Sequence, residues 1–127
     1  MTDKTPLVPV AAPGSAPATG SYAPALVGGG LIFVSGQGPI DETGAIVAGT
    51  IEEETTRTLA NVLVLVRAAG GDLDRIARCT CYLADIAEFD RFDAAYRAFF
   101  GDHKPTRTTV QAGLDGIRVE IDAIALA

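Results

Sequence analysis

The residues best suited to do chemistry lie in the last quarter of the chain, where an arginine and a glutamate occupy two predicted strands. Arg107 follows Pro105 in the run KPTRTTV, and Glu120 stands in the alternating run RVEIDA. Arginine binds carboxylates through a planar, two-pronged guanidinium, and a sheltered glutamate can position water or relay a proton. Together they indicate a site for a small organic acid, with a carboxylate at one end and water chemistry at the other.

Each candidate residue also has an ordinary structural explanation. Arg107 could pair with Asp102 at the rim of a strand, because most charged side chains simply lie at the surface. Glu120 could lie on a solvated strand face, which alternation alone predicts. Tyr22 could pack in the core with its hydroxyl in water. Taken one at a time, none of these residues establishes a site.

Other kinds of catalytic centre find little support in the sequence. The run Gly28–Gly30 precedes a predicted strand rather than a helix, so it predicts a turn and not a phosphate loop. The segment Ser35–Gly38 lacks the spacing of a nucleophile elbow. His103 is the single histidine and has no cluster of metal-binding residues near it in sequence. We therefore expect neither a serine hydrolase nor a metal site.

The composition indicates one acidic globular domain. With 127 residues, 48% hydrophobic content and a formal net charge of −6, the chain has room for one core. The acidic balance disfavours nucleic acid as a partner, since nucleic-acid-binding domains usually show a basic face. No apolar run approaches the length of a membrane span, and the N-terminus shows no secretory signal.

Cys79 and Cys81 lie two residues apart in a predicted strand, so their side chains share one face. This is a poor geometry for a mutual disulfide. Reduced thiols in a cytoplasmic protein are therefore the expectation.

The chain divides into an N-terminal arm and one folded domain. Residues 1–19 are rich in Pro, Ala, Ser and Thr and predict a flexible arm, and residues 20–127 form the domain. Two helices, each opened by a capping box that starts at Thr50 or Asp85, alternate with strands in the order ββ-α-β-α-ββ. This order predicts an α+β layer of two helices on one sheet. The strands predicted after the first hairpin are residues 76–83, 107–111 and 117–125.

One face of the predicted sheet keeps mixed side chains that the helices do not cover. In the last strand, alternation places Glu120 and Asp122 opposite the apolar face. A sheet with such a second face favours a partner subunit. In the strand 76–83, alternation places Ile76 and Tyr82 on one face, and Ala77, Cys79, Cys81 and Leu83 on the other.

Five segments, taken together and in order, carry a resemblance. They are Gly20–Tyr22 (GSY), Leu31–Pro39 (LIFVSGQGP), Tyr96–Phe100 (YRAFF), Pro105–Val110 (PTRTTV) and Val119–Ala125 (VEIDAIA). This ordered set resembles the Rid family, the YjgF-like reactive-intermediate deaminases. The resemblance runs from about residue 20 to the C-terminus, and the set is more specific than any single motif.

The resemblance implies a chorismate-mutase-like α+β fold, with two helices packed on one mixed β-sheet. It also implies a homotrimer around an inner barrel, with sites in the clefts between subunits. The implied reaction is hydrolysis of reactive 2-enamine and 2-imino acids to 2-oxo acids and ammonia, without a metal or an organic cofactor.

The resemblance also implies roles for particular residues. Arg107 would hold the substrate carboxylate, and Glu120 would position the attacking water and assist proton transfer as ammonia leaves. The other residues implied to bind substrate are Tyr22 from the neighbouring subunit, Ser35 and Gly36 from a strand end, and Thr109 through its backbone.

The chain departs from the family pattern near the implied site. Ser21 and Ala23 replace a usual proline and serine, and Thr109 replaces a cysteine of the best-known branch. The loop before the last strand is shortened to Leu114–Ile117. A roomier pocket would suit a larger dicarboxylic enamine, as in a relative resembling 2-aminomuconate deaminase. The alternative of a different class is a non-catalytic protein that binds a metabolite or a partner in the same cleft.

Overall fold

The structure, a computed structural model, describes residues 4–127 as two α-helices on one mixed six-stranded sheet. The strand order is β1-β2-β3-β6-β4-β5, and among the paired strands of residues 4–127 only β4 and β5 run parallel. The fold class predicted from the sequence is therefore confirmed. The elements are β1 (Val8–Pro9), β2 (Ala25–Gly28), β3 (Leu31–Gln37), α1 (Ile51–Ala68), β4 (Ile76–Leu83), α2 (Phe89–Phe100), β5 (Thr106–Gln111) and β6 (Val119–Leu126).

Helix α1 begins at the capping box that the sequence predicts. The Thr50 side chain accepts a hydrogen bond from the Glu53 amide, and the Glu53 carboxylate accepts one from the Thr50 amide. This exchange satisfies two amides that the first helical turn would otherwise leave unpaired. The helix ends before Gly70, whose positive φ of 98° only glycine adopts at low cost.

Helix α2 begins differently from the prediction. The Asp85 carboxylate accepts from the Ala87 amide, two residues on, and this closes a short 3₁₀ turn at Ile86–Glu88. Helix α2 then starts at Phe89 without a side-chain cap. The second predicted capping box is therefore wrong, because the local Asp85 turn forms before the α-helical hydrogen bonds begin.

Aromatic side chains anchor α2 on the sheet, as its helical spacing predicts. Phe92, Tyr96 and Phe100 are buried and stack along one face, with ring centroids 5.7 Å and 4.8 Å apart in succession. Both distances lie in the range that favours tilted aromatic pairs. The position of α2 above β4 and β5 is therefore fixed by rings at three successive turns.

A bulge in β4 changes the faces that simple alternation predicts. The pairing with β6 shifts between Ile76 and Arg78, so Ile76 is buried and Ala77 is exposed. The prediction for these two residues is wrong, because a bulge adds one residue and reverses the alternation on one side of it. Beyond the bulge the prediction is confirmed, since Cys79 and Cys81 are both buried in the core as free thiols.

Part of the segment predicted as an arm joins the sheet. Val8 pairs with Val27 and Pro9 with Leu26, and the Val10 amide donates to the Ala25 carbonyl at 3.0 Å. These residues add an edge strand, while residues 1–3 of the predicted arm lie outside the described residues. The domain boundary at residue 20 stays a prediction. Within residues 4–127, no helix has the length and apolar character needed to cross a membrane.

Candidate functional site

The two faces of the sheet divide the predicted site residues into two groups. Val119 and Ile121 are fully buried on the helix side, so Glu120, between them, projects to the opposite face. Arg107 pairs in register with the buried Cys79, and its guanidinium contacts rings of α2, so it lies on the helix side. One copy of the chain therefore does not bring Arg107 and Glu120 together.

The first group surrounds Glu120 on the open face. Tyr22, Ser35, Gly36 and Glu120 line a cleft of about 390 Å³ together with Thr19. The Ser35 hydroxyl donates to the Ala23 carbonyl at 2.7 Å, which ties the end of β3 to the segment that carries Tyr22. Four of the six residues predicted from the sequence thus meet in one place.

Gly36 is required by the close approach of the Glu120 side chain. A Cβ atom added at Gly36 would lie 2.9 Å from both Cδ and Oε2 of Glu120. Carbon atoms pack at about 3.5–4.0 Å, so any larger residue would push the carboxylate away. Because β3 and β6 pair irregularly between Val34 and Gln37, the strand backbone leaves this space beside Glu120.

The Glu120 carboxyl is disposed to hold a proton more readily than an ordinary glutamate. Burial raises the pKa of Glu120, and the nearby Asp122 raises it further. Desolvation and a like charge both disfavour the ionised form. Tyr82, opposite Glu120 on β4, donates from its hydroxyl to Asp122 at 3.3 Å, and the Asp122 charge raises the pKa of the Tyr82 phenol. The Glu120 carboxyl can therefore exchange a proton nearer to neutral pH than an ordinary glutamate.

Tyr22 lies at the mouth of the Glu120 cleft. The residue is 46% exposed, so it does not belong to the core. The Thr19 amide donates to the Tyr22 hydroxyl at 3.2 Å, which orients the phenol. Thr19 is a cleft residue that the sequence did not indicate, because it falls in the segment predicted as an arm.

The second group surrounds Arg107 on the helix side. The guanidinium carbon lies 4.7 Å from the Tyr96 ring centroid and 5.4 Å from those of Phe89 and Phe92. Nη1 donates to Asp93 Oδ1 at 2.7 Å, so the ion pair forms with Asp93 and not with Asp102. The Arg107 side chain is only 21% exposed. Such partial desolvation strengthens both the ion pair and the cation–π contacts.

The Arg107 cleft has a volume of about 350 Å³ and also contains other basic residue types. Arg97, His103 and Lys104 line it beside Arg107, with Asp93 as its carboxylate. Thr109 lies two residues farther along β5 on the same face as Arg107, and its hydroxyl oxygen is buried with no hydrogen-bond partner within residues 4–127. The structure therefore places Thr109 near the cleft wall but does not place it in the cleft.

Two acidic residues that sequence reasoning missed support these groups. Asp93 binds Arg107; its spacing of four residues from Arg97 indicated a pair with Arg97 on the helix surface but not the contact with Arg107. Glu54 is buried, with a side chain only 3% exposed, and accepts from the backbone amide of Arg118 at 2.9 Å. That bond fixes the residue before β6, the strand that carries Glu120. A glutamate in a helical first turn gave no sign of this burial.

The histidine and the two cysteines have structural contacts rather than the surroundings of a reactive group. In the described part of the chain, no three His, Cys, Asp or Glu side chains could hold a metal ion together. His103 Nε2 lies 2.7 Å from the Ile76 carbonyl oxygen and joins the end of α2 to β4. Burial raises the pKa of the Cys79 thiol to about 11 and raises that of Cys81 as well. Both thiols are therefore protonated and poor nucleophiles near neutral pH.

This fold, with two helices on one mixed six-stranded sheet, is shared with known proteins of one family. A family profile described as endoribonuclease L-PSP matches residues 13–127. A RutC family protein of Pyrococcus abyssi is 38% identical over 109 residues, covering 84% of this chain and 86% of the relative. A Yersinia pestis protein of the conserved Rid family, YyfA, superposes with a TM-score of 0.90 at 29% identity, covering 96% of this chain and 100% of the other.

A further solved structure contains a ligand. Escherichia coli TdcF, with bound serine, superposes with a TM-score of 0.86 at 30% identity, covering 94% of this chain and 98% of that one. The chain belongs to the endoribonuclease L-PSP family, whose members include the YjgF- and Rid-type proteins. The family resemblance stated from the sequence is confirmed.

Proposed function

We propose that the protein hydrolyses reactive 2-enamine and 2-imino acids to 2-oxo acids and ammonia, without a metal or an organic cofactor. The observation that carries this proposal is the pair of clefts: a shielded arginine in one, and a glutamate with a raised pKa in the other. A related protein, TdcF, binds serine, which is itself a small 2-amino acid. The proposed substrates share the carboxylate and the 2-nitrogen of that ligand.

In this proposal Arg107 binds the substrate carboxylate. Arg107 uses one of its five N–H donors in the short hydrogen bond to Asp93. Within residues 4–127, its guanidinium donates no other hydrogen bond. The remaining N–H groups can therefore donate to both oxygens of a substrate carboxylate in a two-pronged geometry. The rings of Phe89, Phe92 and Tyr96 partly shield the planar guanidinium from water, and this favours binding of an anion.

Glu120 then supplies the water chemistry. As base, its carboxylate takes a proton from water while the water oxygen bonds to the C2 carbon of the iminium. That proton passes to the nitrogen of the resulting carbinolamine. The C–N bond then breaks with its electron pair on nitrogen, and ammonia leaves while the hydroxyl oxygen forms the C=O bond of the 2-oxo acid and returns its proton to the Glu120 carboxylate. A carboxyl with a raised pKa suits both directions of this transfer. Ser35, Gly36 and Tyr22 would wall the substrate beside Glu120, with Thr109 on the Arg107 side.

The proposal requires at least two copies of the chain in each site. Arg107 and Glu120 lie on opposite faces of one sheet, so a second copy must bring its Glu120 cleft to the Arg107 cleft of the first. A homotrimer with an inner barrel, as the resemblance implies, would supply three such contacts. The open face retains exposed apolar residues suited to such a contact, among them Leu31, Phe33, Val110 and Leu126. We place this assembly in the cytoplasm.

A second candidate within the same chemistry is a larger, dicarboxylic enamine. Lys104 and Arg97 line the Arg107 cleft and could bind a second carboxylate. Higher kcat/KM for a dicarboxylic enamine than for 2-iminopropanoate would favour this candidate. A non-catalytic binding role would show instead as ligand binding without any acceleration of hydrolysis.

The test is release of ammonia and 2-oxopropanoate from 2-iminopropanoate, generated in situ by an amino-acid oxidase. We expect acceleration by the wild type and a loss of at least about 100-fold in kcat/KM for Arg107→Ala, since removing a buried charge-assisted contact costs about 3–5 kcal/mol. Arg75→Ala, at an exposed arginine, serves as the matched control and should retain activity. Acceleration that is unchanged in Arg107→Ala would refute the role of Arg107.

A further inference from the structure

Asp93 lies between two arginines and is the only carboxylate that lines the Arg107 cleft among the described residues. Its Oδ1 accepts from Arg107 Nη1 at 2.7 Å, and its Oδ2 accepts from Arg97 Nη2 at 3.0 Å. One oxygen is thus committed to each guanidinium. The two arginines differ in burial, because the Arg97 side chain is 71% exposed and that of Arg107 is 21% exposed.

We infer that Asp93 sets how strongly Arg107 binds a carboxylate ligand, and that Arg97 reduces the repulsion between the Asp93 charge and that ligand. This inference rests on the proposed function in taking Arg107 as the carboxylate-binding residue. Asp93 acts through Arg107 and is therefore a positioning and affinity-setting residue rather than a catalytic one.

Asp93 has two separable effects on Arg107. Its hydrogen bond holds the guanidinium against the rings of Phe89, Phe92 and Tyr96, and so fixes which N–H groups point into the cleft. Its negative charge also lies beside the position of an incoming carboxylate, where like charges repel. Orientation favours binding and turnover, whereas the charge opposes binding.

Arg97 reduces the second effect. It is four residues after Asp93 on α2, and its guanidinium shares the Asp93 charge from the solvent side. Without Arg97, the full charge of Asp93 would act on Arg107 and on its ligand. The three residues therefore form a charge chain, positive–negative–positive, whose inner end is the proposed carboxylate site.

Three substitutions separate the orienting effect of Asp93 from the effect of its charge, because they change carboxylate affinity and kcat differently. Asp93→Asn keeps an acceptor oxygen for Arg107 but removes the charge, so a carboxylate ligand should bind about three- to tenfold more tightly. Arg97→Gln leaves the Asp93 charge unshared, so binding should weaken about two- to fivefold. Asp93→Ala also removes the hydrogen bond, and kcat should fall about tenfold because the guanidinium loses its orientation.

The experiment measures two quantities for each variant: the Kd for 2-oxopropanoate by calorimetry, and kcat and KM for 2-iminopropanoate. Matched controls on the same helix are Asp90→Asn and Arg91→Gln, where Arg91 pairs with Glu52 instead. We expect Kd and KM to fall in Asp93→Asn, to rise in Arg97→Gln and to stay near wild type in both controls. Rescue of kcat by Asn, relative to Ala, would identify the orienting hydrogen bond.

The outcomes distinguish this inference from the proposed function. If Kd for 2-oxopropanoate falls in Asp93→Asn and rises in Arg97→Gln, but the wild type does not hydrolyse the imine, the inference holds and the deaminase proposal fails. If the wild type hydrolyses the imine but Asp93→Asn binds no more tightly than Asp90→Asn, the inference alone is overturned. Failure of the wild type in both assays overturns both.

Discussion

The sharpest test of the Glu120 cleft is the addition of a single methyl group at Gly36. The new Cβ would lie 2.9 Å from the Glu120 Cδ, whereas carbon atoms pack at about 3.5–4.0 Å, so the carboxylate must move by roughly 0.6 Å or more. The Gly36 backbone does not adopt a positive φ, so alanine brings no backbone strain. The whole effect therefore falls on the position of Glu120.

We expect Gly36→Ala to lower kcat for imine hydrolysis about 10- to 100-fold, because displacements near 1 Å cost about 100-fold in rate. The free energy of unfolding should fall by only about 1 kcal/mol or less, since a flexible side chain relieves the contact. The pKa of Glu120, followed by carboxyl NMR, should move down toward its ordinary value as the group becomes better solvated.

Gly113→Ala is the matched control. Gly113 is exposed, an added Cβ there meets nothing within 4 Å, and its φ is not positive. Its kcat and stability should match the wild type. If Gly36→Ala and Gly113→Ala have kcat values within about twofold of each other, and the pKa of Glu120 is the same in both, the contact does not position the carboxylate and the reasoning fails.

Three further predictions concern stability and reactivity. Burial and Asp122 raise the pKa of Glu120 in the folded protein, so its ionised form destabilises the fold at pH values above that pKa. This destabilisation disappears below the ordinary glutamate pKa of 4.5, where the carboxyl is protonated in both states. Glu120→Gln should therefore raise Tm at pH 7 and not at pH 4. Equal Tm gains at both pH values would contradict this. Glu54→Ala should lower the free energy of unfolding in urea by about 3 kcal/mol, because the partly buried amides of Gly49 and Arg118 lose their carboxylate acceptor. Glu42→Ala at an exposed site should change it by less than about 0.5 kcal/mol. Similar losses in the two variants would show that Glu54 anchors nothing. Cys79 and Cys81 should react with an aromatic disulfide reagent only as fast as the protein unfolds, which denaturant-dependent labelling can measure, and rapid labelling of the native state would refute their burial.

The elements most predictable from the sequence were those governed by local rules. The capping box at Thr50 and the alternation in β6 both follow from neighbouring residues, and both occur as predicted. The bulge at Ile76 and the 3₁₀ turn after Asp85 were not predictable in this way. A bulge depends on how a strand pairs with its neighbour, and the turn depends on competition between two local hydrogen-bonding patterns.

The candidate site was predictable as residue types but not as an arrangement. Gly36 and Glu120 were named from the sequence, and the structure places them in contact. The Asp93 partner of Arg107 was missed in favour of Asp102, which is nearer along the chain but is not its partner. The Arg107–Asp93 ion pair joins β5 to α2 and depends on how the crossover from β4 to β5 places that helix over the sheet. The spacing of neighbouring residues does not predict that geometry.

The separation of Arg107 and Glu120 on opposite faces of the sheet has a genetic consequence. Under the proposed function, each site takes its arginine from one copy and its glutamate from another, so a chain with a damaged Glu120 still offers a sound Arg107 to its neighbour. Two defective alleles, one altered on each face, would rebuild some complete sites in mixed assemblies, although either allele alone would build none.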